Sequence, residues 1–126
     1  MNEADKKREL VREINALPGG YARRLEDRYA IGVLDLIIKL PAYPALWAEG
    51  KIVEGNLFAP TARQWEEGRR ILAAGMPVLL LGWKERWLYV SPWVKKADIR
   101  TCFGGDGPSL QILQEALGQE RIRESR

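Results

Sequence analysis

Apolar residues recur along this chain with two different periods, and the change of period marks out its elements. Leu10, Val11, Ile14 and Leu17 follow helical spacing and predict a helix over residues 4–16, ended by Pro18-Gly19-Gly20. On that helix Glu13 flanks the apolar stripe, and Lys6, Lys7, Arg8 and Arg12 are expected largely away from it. Residues 21–29 read as a short, heavily charged strand. Two apolar runs follow, at 32–38 and 46–53, separated by Pro41-Ala42-Tyr43-Pro44, a turn signal that predicts an antiparallel hairpin. Pro60-Thr61-Ala62-Arg63-Gln64 opens a second helix ending near Ala74-Gly75, and Thr61 with Gln64 fits a capping box. Residues 78–81 predict a buried strand, Trp83-Lys84-Glu85-Arg86 a turn, and 87–90 a returning strand closed by Pro92. Beyond it, 104–108 reads as a loop and 109–117 as a short helix with Ser109 as cap and Gly118 as stop; the end from Gln119 onward is expected to fray. No internal repeat is visible. The order of elements predicts an α/β (α+β) fold, a mixed β-sheet flanked by helices.

The two hairpin runs break their own pattern. Asp35 lies within Gly32-Val33-Leu34-Asp35-Leu36-Ile37-Ile38, and Glu49 and Lys51 within Leu46-Trp47-Ala48-Glu49-Gly50-Lys51-Ile52-Val53. An unpaired charge on a buried strand is costly. With the turn centred near residues 42 and 43, Asp35 and Glu49 fall close to opposite one another, and strand alternation puts Lys51 on the face of Glu49. Cross-strand neighbours have Cβ atoms about 5 Å apart, where two carboxylates repel unless a cation lies between them. A hard divalent cation with a phosphate would satisfy all three groups. An ordinary cross-strand ion network on a solvent face would satisfy them as well.

Composition narrows the chemistry. The chain has 126 residues, enough for one domain with a modest core, and no apolar run long enough to cross a bilayer. The charged N-terminus is unlike a signal peptide, so a cytoplasmic location is expected. One cysteine, Cys102, excludes an intrachain disulfide and any multi-cysteine zinc site. The absence of histidine excludes Ser-His-Asp and Cys-His catalysis and histidine-ligated zinc. There is no P-loop motif. An enzyme built from this chain would work with carboxylates, lysine and a hard ion, Mg2+ or Mn2+. The net charge of +3, from twenty basic and seventeen acidic side chains, is compatible with nucleic-acid binding without demonstrating it. Arg23, Arg24 and Arg28, with Lys39 on the face of Asp35, are the phosphate-contact candidates, or else a solvated edge strand. Trp83 and Trp87 are candidates for stacking on unpaired bases, though tryptophans more often fill cores or interfaces.

Asp35 followed by Glu49-x-Lys51 resembles the core of the PD-(D/E)XK nuclease superfamily. Gly32-Val33-Leu34-Asp35-Leu36-Ile37 is similar to the G-V-P-D-L stretch of its VRR-NUC family, and Trp47-Ala48-Glu49-Gly50-Lys51 stands at that family's E-x-K. Thr61-Ala62-Arg63-Gln64-Trp65 and Leu72-Ala73-Ala74-Gly75-Met76-Pro77-Val78 resemble the helix and its exit into a strand. The likeness covers roughly residues 8–92 of a single nuclease-like domain, with 93–126 as a C-terminal extension. Leu34 departs from the family's proline. The resemblance implies a metal (Mg2+ or Mn2+) held by Asp35, Glu49 and the carbonyl of Gly50. It implies that Lys51 orients water or neutralises the scissile phosphate, that Gln64 lies at the site's edge, and that a first-helix glutamate, Glu13, completes the shell. It further implies a small stand-alone protein of phage type, acting on branched DNA as a homodimer in the host cytoplasm.

Two functions are therefore expected. One is a metal-dependent DNA endonuclease selective for a Holliday junction or flap. The other is a non-catalytic nucleic-acid binder or host inhibitor on a nuclease-like fold.

Overall fold

The computed structural model of the chain describes residues 2–25 and 32–119. Its first helix, α1 (Glu3–Asn15), starts at a capping box in which the Asn2 side chain accepts from the Asp5 N–H at 2.9 Å and Asp5 reaches back to the Asn2 N–H. Leu10 and Ile14 are fully buried, and Lys7 is on the same stripe. The chain turns at Gly19, whose φ of +81° suits glycine, and enters β1 (Tyr21–Arg24). Asn15 ties the helix to this strand, with its amide donating to the Ala22 carbonyl and accepting from the Ala22 N–H.

The predicted hairpin is present as β2 (Leu36–Lys39) and β3 (Leu46–Ile52), with Leu36 opposite Ala48 and Ile38 opposite Leu46. A short strand, β4 (Leu57–Phe58), leads to α2 (Ala62–Ala73), whose capping box joins Thr61 and Gln64. α2 crosses over to β5 (Val78–Lys84), which runs parallel to β3. β6 (Trp87–Pro92) returns antiparallel, and β7 (Ala97–Asp98) pairs with β4 in a separate two-stranded sheet. β8 (Phe103–Asp106) and α3 (Ser109–Leu117) complete the described chain. The main sheet has the order β1-β2-β3-β5-β6-β8, with one parallel pair and the rest antiparallel.

Two cores cover the two faces of this sheet. On one, Leu36, Ile38, Ala48, Leu79, Leu81, Trp83, Leu88 and Val90 pack under α1 and α3. On the other, Leu34, Val53, Phe58, Val78 and Leu80 pack under α2 and Trp93. The near-continuous burial of β5 follows from having both faces covered.

Several expectations change. Trp83 is not in a turn: β5 extends to Lys84, and Trp83 is buried with its indole N–H donating to the Ser109 hydroxyl at 3.0 Å. That bond uses the hydroxyl expected to cap α3, whose N-cap is Pro108. The stretch read as a loop is largely the edge strand β8, where Gly104 admits the Tyr89 ring; a Cβ there would lie 2.5 Å from it. Residues after 92 supply Ile112, Leu113, Ala116 and Leu117 to the same core as α1. No helix among the described residues is long and apolar enough to cross a membrane.

Candidate metal and phosphate site

The hairpin register continues outward by one pair from Leu36 and Ala48, which brings Asp35 opposite Glu49. The contact is direct: the Asp35 backbone N–H donates to Glu49 Oε1 at 3.2 Å. Glu49 is 2% exposed, whereas the Asp35 side chain is 16% exposed at the rim. Lys51 Nζ lies 3.6 Å from Glu49 Oε2 and remains partly open to solvent. The three strand charges thus form one cluster at the start of β2 and the middle of β3.

A fourth and a fifth charge join it from α1. Lys7, 5% exposed, places its ammonium against Asp35 Oδ2, 3.9 Å from Glu49 Oε2 and 3.6 Å from Glu3 Oε2. It reaches the pair across Gly50. A Cβ at that position would lie 3.0 Å from Lys7 Cε and 2.5 Å from the Trp83 ring, so glycine is what leaves room for the lysine stem. Lys7 was expected largely away from the apolar stripe, but it precedes Leu10 by three residues and Ile14 by seven, which places it on the buried stripe.

Burial shapes the protonation of the pair. Removal from water, and then the facing carboxylate of Asp35, lift Glu49 to about 7, against the pull of Lys7 and Lys51. Burial also raises Asp35, opposed by Lys7 and by the Gly50 N–H that bonds its carboxylate. Asp35 Oδ1 is buried without a hydrogen-bond partner among the described residues. A buried acceptor left in that state is costly, and a cation beside it would remove the cost. Oxygen donors from two facing carboxylates suit a hard ion such as Mg2+ or Mn2+, which needs few protein ligands. No group of three or more His, Cys, Asp or Glu arranged to hold a metal occurs among the described residues.

The other candidates are placed as follows. Glu13 is not with the carboxylate pair. It lines a cleft of about 420 Å³ with Arg12, Arg86 and Ser109, and its pKa is raised by burial against a bond from the Leu110 backbone. The first-helix glutamate that reaches the cluster is Glu3, about three turns nearer the helix start than the expected Glu13. Gln64 is engaged in the α2 cap, its side-chain oxygen accepting from the Thr61 N–H at 2.9 Å. Arg23 is exposed on β1 opposite Ile37, and Arg24 is half-buried opposite Leu36. Lys39 donates to the Leu40 carbonyl at 2.7 Å. Arg28 lies outside the described residues. Trp83 is unavailable to bases, being core; Trp87 is 43% exposed and stacks on Tyr89. A cleft of about 330 Å³ opens beside Lys51, with Leu57, Phe58 and Lys96 in its lining. Lys96, like Lys7, was not singled out from the sequence.

No family model and no curated protein matches the sequence. The structure is similar to that of Hjc, a Holliday junction resolvase from the archaeal hyperthermophile Archaeoglobus fulgidus. The TM-score is 0.57 and the identity 17%, covering 76% of this chain and 83% of that one. At that identity the likeness is one of fold: a restriction-endonuclease-like mixed sheet flanked by helices.

Proposed function

We propose that this chain is a metal-dependent DNA endonuclease of the PD-(D/E)XK superfamily, similar to its VRR-NUC members, and selective for branched DNA. The observation that carries the reading is the cluster itself. Two facing carboxylates, one of them 2% exposed, are held with Lys51 on adjacent strands of a fold shared with a Holliday junction resolvase.

Asp35 and Glu49 would hold the ion, Mg2+ or Mn2+, which when bound supplies Lewis acidity. The Gly50 carbonyl would join them. Its N–H already points at Asp35, and the N–H and C=O of one strand residue leave on the same side. Lys51, partly exposed on the face of Glu49, would stabilise negative charge developing on the scissile phosphate. Arg23 and Lys39 would contact neighbouring phosphates, and Trp87 an unpaired base. Symmetric cutting of a four-way junction needs two sites, so the acting species would be a homodimer. A phage origin and a host-cytoplasmic location belong to the same proposal.

The test is cleavage of labelled single strand, duplex, flap, splayed arm and four-way junction, each with Mg2+, Mn2+ or EDTA. Cutting is expected only with metal. Lys51→Ala and Asp35→Ala should each lower the rate by at least about 100-fold, the order of effect seen when one transition-state donor is removed. Full activity in either variant would sink the proposal. Salt-sensitive binding of one structure without cutting would instead favour a non-catalytic binder.

A further inference from the structure

The Lys7 ammonium is a cation where a cation is wanted. It is 5% exposed, contacts Asp35 directly, and has Glu49 and Glu3 within 4 Å. We propose that Lys7 competes with the divalent ion for the Asp35–Glu49 pair, so that metal entry requires the ammonium to leave. This rests on the pair being the ion site of the nuclease reading.

Charge and space both support exchange. Glu3, Asp35 and Glu49 face Lys7 and Lys51, which leaves one net negative charge when all five are ionised. A divalent ion added with Lys7 in place would reverse that sign and set two cations against each other in a buried site. With Lys7 drawn outward to Glu3, the ion has the Asp35–Glu49 pair to itself, with Lys51 beside it. The exit is built in. The lysine stem is flexible and unbranched, and Glu3 stands one turn back on α1 with a side chain 40% exposed. The ammonium can move outward to Glu3 without becoming unpaired. The slot over Gly50 accommodates the stem in the inward position.

The experiment is calorimetric titration of the full-length protein with Mn2+, in the wild type, in Lys7→Met and in Asp35→Asn. Lys7→Met keeps the length of the stem and removes the charge. It should bind Mn2+ at least about tenfold more tightly than the wild type, as expected when a competitor for the same site is removed. Asp35→Asn should lose binding. Equal or weaker binding by Lys7→Met overturns the competition and leaves the ion site standing. No uptake by either the wild type or Lys7→Met removes both. Should Lys7→Met fail to fold, acetylation of Lys7 in the wild type decides. Lys7 should be slow to acetylate with acetic anhydride in EDTA, and its peptide should be modified several-fold faster with saturating Mn2+. An unchanged rate overturns the proposal.

Discussion

Among the described residues Glu49 is the most deeply buried charged side chain, and its proton is a measurable consequence. Folding raises its pKa from the ordinary glutamate value of 4.5 to about 7. The folded chain therefore holds the proton more tightly than the unfolded chain, and stability falls as pH rises between those values. The contribution is fully present below about 4.5 and lost above about 7. In EDTA, urea unfolding should show a decline of about 1–3 kcal/mol from pH 5 to pH 8. Glu49→Gln keeps an acceptor for the Asp35 N–H and should flatten the decline. An unchanged slope in that variant would mean that Glu49 is not its source. Asp98, held down to about 2 by Arg100, acts at lower pH and does not overlap this window. The facing of Asp35 and Glu49 was legible before any coordinates, because the Pro41–Pro44 turn and a period of two determine who stands opposite whom. Lys7 was not legible in the same way. A lysine on an apolar stripe is normally a snorkelling surface residue, and the carboxylates of Asp35 and Glu49, distant in sequence, join Glu3 in making its burial tolerable.

At the scale of elements, the site depends on how closely α1 approaches β3. Gly50 sets that distance, since its missing side chain is the space taken by Lys7 and the Trp83 ring. Gly50→Ala should destabilise the fold by about 1–3 kcal/mol, the usual cost of overpacking, as measured by urea denaturation at fixed pH. A neutral result would show that α1 can lift without loss. Helices and the hairpin were readable because each has a strong local cause: the Thr61–Gln64 cap, the stripe of Leu10 and Ile14, the prolines around the turn. β8 was not readable, because its Phe103-Gly104-Gly105-Asp106 sequence has weak strand propensity. It pairs with β6 because its glycines let Tyr89 and the Ile112 side chain lie close against the backbone, a tertiary cause absent from the local pattern. Trp83 was misplaced for a related reason: its burial depends on α3, twenty-six residues further on, whose Ser109 accepts the indole N–H.

At the scale of the whole molecule, the net charge of +3 is small, so arrangement has to supply what quantity does not. β1 and β2 present Arg23 opposite Ile37, one alternation from Asp35, and Lys39 one alternation beyond. A phosphate chain running from the carboxylate pair along β2 would meet Arg23 first. Lys39 would contribute less, because its ammonium is already bonded to the Leu40 carbonyl. Binding of a four-way junction in EDTA, followed by fluorescence anisotropy, should therefore weaken linearly in log affinity with log salt. Arg23→Ala should reduce the magnitude of that slope by about 1 per bound chain, and Lys39→Ala by less. If the proposed endonuclease acts as a homodimer, the same titration at stoichiometric concentration should saturate at two chains per junction, one carboxylate pair for each strand to be cut. Saturation at one chain would remove the homodimer. A slope unchanged by Arg23→Ala would move the DNA path off β1 toward the cleft where Lys51 and Lys96 stand.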